Sequence, residues 1–433
     1  VSSHLVIQPA RAVRGTLHTP GDKSISHRYA MLGALAHGLT TVEHLAPGAD
    51  VAATLACLRA LGASIDIDRS STGGVAIRIH GRGPDGLSAP AAPLDAANSG
   101  TTLRLLAGLV AGRPFRTTLG GDASLSRRPM RRIVEPLTAM GARIADCDGH
   151  APLVIDGGGL HAITWRTPVA SAQVKSAILL AGLSAQGVTT VLEPLATRDH
   201  TERAFRAFGL EIVVDGLRCA VHGGQHATAP GATLTVPGDP SSAAVWAAAA
   251  AALPGSRVEL DRVGLNPRRL GFVRVLERMG ALILEETQGA ESGEPLGRLV
   301  VEHGTHGSTV VAPGEVPGLI DELPVLAARA ALGGALEVSG ASELRVKESD
   351  RITMLVNGLR TLGVYAHERP DGFVVTGERR PTGGTVDAAG DHRLVMAFAL
   401  AGLGASGPVT ITGADAVAVS YPGFARDLAR LAA

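Results

Sequence analysis

Hydrophobic and polar positions along this 433-residue chain repeat in register six times. Each copy opens a β-branched, strand-like run with a glycine, at Gly38, Gly112, Gly187, Gly255, Gly334 and Gly407. A helix-periodic segment follows and stops at another glycine: LRALGA at 58–63, LTAMGA at 137–142, FRAFGL at 205–210, LERMGA at 276–281 and LRTLGV at 359–364. Glycine after Leu or Met marks the left-handed end of a helix. Alternating residues then predict a hairpin, as in 63–68 with 74–79 and 210–214 with 217–221. The sixth copy stops in LARLAA at 428–433. One repeat is roughly 70 to 80 residues.

A second, small-residue helix is predicted ahead of each opening glycine, and its first turn is polar. These turns read GDKSISHR (21–28), ANSGTTLR (97–104), ASAQVKS (170–176), GDPSSAA (238–244), DELP (321–324) and DHR (391–393). The first backbone N–H groups of a helix lack partners and the helix dipole favours anions there. Six such starts directed inward predict an anion-seeking cavity.

Each repeat therefore reads βαβαββ, and the predicted fold class is α/β, with six βαβαββ repeats, three per domain. The sixth repeat lacks its hairpin, while residues 1–19 hold two spare strand candidates at 5–8 and 14–18. Their simplest place is in the second domain. The expected domains are residues 20–236, and residues 1–19 with 237–433. The chain then crosses between domains at TPGD (19–22) and VPGD (236–239), which predicts a hinge beside a ligand cleft.

Composition narrows the function. Lys plus Arg equals Asp plus Glu at 40 each, so no global field attracts nucleic acid or an anionic membrane. Cys57, Cys147 and Cys219 are widely separated and have no ligand-spaced His or Cys, which predicts neither disulfides nor a metal site. The longest apolar run, 243–253, is too short to cross a bilayer. The first twenty residues carry no secretory core, so a cytoplasmic protein is expected, and monomer is the default.

The chemistry-bearing residues divide between the halves. The first half supplies donors: Lys23, Ser24, Arg28, Asn98, Thr101, Arg104, Arg128, Ser171, Gln173, Lys175 and Arg198. The second half mixes Asp321, Glu322, Lys347, Glu348, Asp350, Arg351, Asp391, His392 and Arg393. Lys23-Ser24 with Arg28 at a helix entrance suits a phosphate, although no Walker loop or dinucleotide fingerprint is present. Ser171, Gln173 and Lys175 offer a hydroxyl, an amide and an ammonium suited to a phosphorylated polyol. In Arg345-Val-Lys347-Glu348-Ser-Asp350-Arg351, helical spacing predicts Lys347 and Arg351 on one face with Glu348 beside them. Asp321 at its helix entrance is a proton-transfer candidate if a second carboxylate lies near. Bland readings exist beside these: a capped helix for the Lys23 stretch, a capping Asp or Thr with a solvated Arg for Arg198-Asp199-His200-Thr201-Glu202, and a solvated salt-bridge strip for 345–351.

Taken together, PGDKSISHR, NSGTTLR, GDASLSRRPM, SAQVKSA, RDHTE, PGDPSSAA, DELP, ELRVKESDR and DHR, in this order and spacing, resemble the 5-enolpyruvylshikimate-3-phosphate synthase family over essentially the whole chain. The resemblance implies a two-domain inverted α/β barrel of the enolpyruvyl transferase type. It implies transfer of the carboxyvinyl group of phosphoenolpyruvate to the 5-hydroxyl of shikimate 3-phosphate through a tetrahedral intermediate. The implied partners are these two small molecules, with no metal or other cofactor. Ser24, Arg28, Ser171, Ala172, Gln173 and Arg198, with Lys23, Asp321 and Lys347, are the implied shikimate 3-phosphate contacts. Lys23, Gly100, Arg128, Gln173, Arg351 and Arg393 are implied for phosphoenolpyruvate. Asp321, Glu348, Lys23 and His392 are the implied catalytic set, with the proton roles of Asp321 and Glu348 open to exchange.

Two segments depart from the plant and enteric pattern. Val419-Ser420-Tyr421-Pro422 stands where those forms carry a phosphate-binding lysine, and Gly100-Thr-Thr-Leu-Arg104-Leu105 replaces Gly-Thr-Ala-Met-Arg-Pro. Both are similar to the bacterial group that includes glyphosate-tolerant members. Gly100 nevertheless lacks the methyl group that crowds that inhibitor, so inhibition is expected. A related transferase acting on UDP-N-acetylglucosamine is a rival, but residues 121–132 contain no cysteine of the kind its mobile loop carries. A noncatalytic descendant that only binds phosphometabolites is disfavoured by the presence of Lys23, Asp321, Glu348 and Arg393.

Overall fold

The computed structural model describes residues 4–69 and 74–432. Position 433 of the last repeat lies outside the described residues. Among the described residues five four-stranded sheets share one plan, and a sixth sheet has three strands. In the sheet of Leu94–Asp95, Arg116–Gly120, Arg143–Cys147 and His150–Asp156, the first strand runs parallel to the second, which pairs antiparallel with the fourth; the third pairs antiparallel with the fourth at the edge. Thr164–Arg166, Val188–Leu192, Ile212–Asp215 and Arg218–His222 repeat this order. So do Ser308–Val311, Ala335–Val338, Tyr365–Arg369 and Gly372–Thr376.

The other sheets show how each unit closes. Leu234–Thr235 runs parallel to His37–Leu45, and Arg14–His18 runs parallel to Arg257–Gly264. Gly384–Asp387 runs parallel to Val409–Thr412, whose other edge pairs antiparallel with His4–Ile7, where a hairpin strand would otherwise lie. The described residues divide into two compact units, one within 4–20, 237–289 and 295–432, the other within 21–69 and 74–236 with 290–294. Each unit has its own apolar core.

Helix patterning explains the two kinds of helix. Every residue of Pro240–Ala252, Leu323–Ala331 and His392–Leu403 is buried, because beyond their polar starts they are almost wholly apolar, and the one later charge, Arg329, donates inside to the carbonyls of Gly333, Met279 and Thr305. Small side chains also let backbones meet: a methyl at Gly108 would sit 2.1 Å from the Ala177 carbonyl oxygen of the neighbouring helix. The second helix of most repeats is amphipathic, as in Gly271–Arg278, which buries Phe272, Val273, Val275 and Leu276. Five of these helices end at a glycine with positive φ, from +73° at Gly209 to +109° at Gly141.

Tyr421 of the Val419–Pro422 segment belongs to a core. Tyr421 is 1% exposed, accepts the Trp246 indole N–H at 3.1 Å and donates to Asp427 at 2.8 Å. No helix among the described residues is long and apolar enough to cross a membrane.

Candidate active site

In the unit of residues 21–236, polar helix starts are tied to one another by side chains. Asp22, Ser99 and Ser171 cap Lys23–Leu35, Gly100–Ala111 and Ala172–Gly182 by accepting from Ile25, Thr102 and Val174 N–H. Lys23 Nζ lies 2.8 Å from Asp50. Arg28 donates to the Ser24 carbonyl at 2.8 Å, to Thr201 at 2.7 Å and to Ser176 at 2.7 Å. Burial lowers the pKa of its guanidinium to about 10; Glu202 opposes that shift, and Arg198 adds to it. Two cations close enough to repel are a site that an anion would stabilise.

Gln173 is locked between neighbours. Its Oε1 accepts from Arg104 at 2.7 Å, and its Nε2 donates to Thr101 at 2.9 Å. Arg128 donates to Asn98 at 2.6 Å and to Ser124 at 3.2 Å. Gly100 sits between these arginines, and a methyl group there would lie 2.8 Å from Arg104 Nη1 and 3.4 Å from Arg128 Nη1. Ser24, Ser171, Ala172, Gln173 and Arg198 are partly exposed, whereas Arg28 and Arg128 are buried.

In the other unit, Arg351 organises the carboxylates. Its Nε donates to Asp391 at 2.7 Å, and its terminal nitrogens reach Glu348 at 2.5 Å and Asp321 at 3.3 Å. Burial would lower the pKa of this guanidinium, but Asp391, Glu348 and Asp321 outweigh that and raise it well above the ordinary value. Lys347 Nζ is 3.9 Å from Asp321. Asp391 also caps His392–Leu403 through the Arg393 N–H at 2.9 Å. His392 and Arg393 are buried, and the Arg393 Nε has no hydrogen-bond partner.

Four sequence expectations meet a different local geometry. Lys175 does not present its ammonium to a ligand: its side chain is fully buried, 2.8 Å from Glu193 and 2.7 Å from Glu202. Lys347 and Arg351 do not share a helix face, since Lys347 follows a 3₁₀ turn at Ser342–Val346 and the helix begins at Arg351. The Asp350 cap fixes that start, so Glu348 meets Arg351 from the loop. Asp321 precedes rather than opens its helix, Leu323–Ala331. Arg351, expected as an anion clamp, has its donors turned to three carboxylates.

Sequence reasoning missed Asp50 and Glu193 and gave Glu202, within RDHTE, no partner, because their lysine partners lie 18 to 27 positions away. It also left Asp391 without a partner; the DHR segment placed it at a helix start but not against Arg351. Among the described residues, Glu193, Glu202 and Cys219 form a cluster with metal-ligating atoms within 4.8 Å of one another, and Lys175 already supplies a positive charge there.

The family model described as EPSP synthase (3-phosphoshikimate 1-carboxyvinyltransferase) matches residues 7–428. The chain belongs to that family. A 3-phosphoshikimate 1-carboxyvinyltransferase of Acidithiobacillus ferrooxidans is 49% identical over 420 residues, covering 97% of this chain and 95% of the relative. One from Brevibacillus brevis is 45% identical over 423 residues, covering 97% and 98%. The solved EPSP synthase from Acinetobacter baumannii superposes with a TM-score of 0.86 at 41% identity, over 99% of this chain and 98% of that one. The enolpyruvyl transferase NikO from Streptomyces tendae has a TM-score of 0.78 at 20% identity over 99% and 97%, a likeness of fold alone. The EPSP synthase fold, two α/β domains of βαβαββ repeats, is thus the fold of this chain.

Proposed function

We propose that this chain transfers the carboxyvinyl group of phosphoenolpyruvate to the 5-hydroxyl of shikimate 3-phosphate. A proton adds to the vinyl methylene carbon and makes C2 electrophilic. The 5-hydroxyl oxygen attacks C2 and gives up its proton. The tetrahedral intermediate then loses inorganic phosphate as its methyl group releases a proton, leaving the enol ether 5-enolpyruvylshikimate 3-phosphate. The reaction belongs to aromatic amino-acid biosynthesis.

Residues 21–236 supply the shikimate 3-phosphate contacts in this reading. Arg28 and Arg198 serve its anionic groups, Ser24 and Ser171 donate hydroxyl hydrogen bonds, and Ala172 contributes a backbone N–H at a helix start. Gln173, fixed by Arg104 and Thr101, reads geometry rather than charge. Lys23 and Arg128 receive the phosphate of phosphoenolpyruvate, with Gly100 leaving room beside Arg128. The convergence of Arg28 with the Ala172–Gly182 helix, through its 2.7 Å hydrogen bond to Ser176, is the observation that carries this assignment, because a buried guanidinium beside a polar helix start favours an anion.

The second unit supplies proton chemistry. Asp321 takes the hydroxyl proton or holds that hydroxyl, Lys347 contacts the same substrate, and Glu348 delivers and removes the methylene proton beside His392. Arg393 has a buried Nε with no protein partner, as an anion-binding arginine requires. Arg351 reaches phosphoenolpyruvate by exchanging one carboxylate partner for the substrate's.

Release of phosphate from phosphoenolpyruvate is the test. Release that depends strictly on shikimate 3-phosphate is expected; release without it, or none from folded protein, contradicts the assignment.

A further inference from the structure

We propose that Lys175 is a positioning residue for shikimate 3-phosphate, an internal strut that sets the spacing of three segments carrying the proposed contacts. The inference rests on the site reading above and adds a residue that touches no ligand. Lys175 Nζ bridges Glu193 at 2.8 Å and Glu202 at 2.7 Å, and all three side chains are at most 1% exposed.

Each partner leads to a different proposed contact. Lys175 itself lies on the helix whose start presents Ser171, Ala172 and Gln173. Glu193 follows the Val188–Leu192 strand and accepts a hydrogen bond from Thr197, the residue before Arg198. Glu202 sits in the first turn of His200–Ala207, next to Thr201, which accepts from Arg28 at 2.7 Å. Ser176, next to Lys175, accepts from Arg28 at 2.7 Å and shares a 2.6 Å hydrogen bond with Thr201. The same two helices therefore meet twice, once around Lys175 and once around Arg28.

Electrostatics make the strut stiff. The two carboxylates, with Cys219, place ligand atoms within 4.8 Å of one another in a dry interior, where like charges repel strongly. An ammonium between them converts that repulsion into two short attractions. Burial would lower the Lys175 pKa, yet Glu202 and Glu193 raise it above the ordinary value, so the ammonium stays charged. Glu202 also acts on Arg28 through its field.

Removing Lys175 alone would leave two buried like charges and unfold the region, so the test neutralises the set. The triple variant Lys175→Met, Glu193→Gln, Glu202→Gln keeps shape without charge, an exchange that folds tolerate. Thr197→Val cuts only the arm to Arg198. Calorimetry would measure the dissociation constant for shikimate 3-phosphate, with melting temperature, kcat and both KM values alongside. The triple variant is expected to melt as a folded protein and to bind shikimate 3-phosphate roughly 10- to 100-fold more weakly. Its KM for phosphoenolpyruvate at saturating shikimate 3-phosphate should move much less. Thr197→Val should weaken shikimate 3-phosphate binding by a smaller factor in the same direction. If the triple variant does not fold, Thr197→Val decides alone.

Wild-type affinity in either folded variant overturns the strut, as does a lowered melting temperature with unchanged binding. Wild-type protein that binds shikimate 3-phosphate but turns nothing over refutes the function and leaves the strut standing. Wild-type protein that does not bind it refutes both.

Discussion

Lys23 Nζ is held 2.8 Å from Asp50, a carboxylate that comes from the start of the next helix and is nearly as buried as a core residue. The ammonium is thereby fixed at the start of the Lys23–Leu35 helix, where the helix dipole also favours an arriving anion. Lys23→Met is expected to lower kcat/KM by roughly 2–4 kcal/mol in transition-state terms, the size typical of one preorganised donor. Steady-state rates check this, and adding Asp50→Asn should recover stability but not rate, since it relieves only the stranded carboxylate.

Glu348→Gln preserves shape beside Arg351 while removing the transferable proton. If Glu348 serves the methylene carbon, kcat should fall roughly 100-fold or more, with KM values changed only a few fold. A variant altered in KM alone would make Glu348 a positioning group.

Gly100→Ala tests the crowding at Arg104. The added methyl group would come within 2.8 Å of Arg104 Nη1, the donor that fixes the Gln173 amide. The arginine tip can move, so stability should change little. Displacing it should raise KM for phosphoenolpyruvate roughly tenfold, about 1.4 kcal/mol. Unchanged KM would show that Arg104 yields without moving Gln173.

His27 makes stability sensitive to acid. Burial, then the charges of Lys23 and Arg28, hold its pKa well below 6.5, while Nδ1 shares a 2.7 Å hydrogen bond with Thr54. Below about pH 6.5 the unfolded chain takes up this proton and the folded chain does not, so stability falls as pH drops, by up to about 1.4 kcal/mol per pH unit. Above that pH both states are neutral and the contribution to the slope vanishes. Urea titrations between pH 7.5 and 5 should show a shallower slope for His27→Gln; equal slopes would remove His27 from the account.

Much of the fold was legible because it depends on local rules repeated six times. A glycine after Leu58-Arg59-Ala60-Leu61 ends a helix in any surroundings, and Gly62 takes φ +94° accordingly. Ile77 and Ile79 are buried on one face of their strand, as alternation predicts. Lys23, Gln173 and Arg393 could be singled out because helix starts are readable from caps and small residues.

Partnership was not legible. Lys175 looked like another donor at a helix start, and only packing turned it inward, because Glu193 and Glu202 arrive from a strand end and a separate helix. Arg351 looked like a clamp on a helix face with Lys347, but the Asp350 cap starts the helix one turn later and leaves Glu348 in a loop. The sequence by itself determined the repeat, the ends of its helices and which residue types stand at their polar tips, since these follow from neighbours a few positions apart. Only the tertiary structure decided which charge faces which, because an ion pair depends on a few ångströms of separation between segments that the order of residues does not bring together.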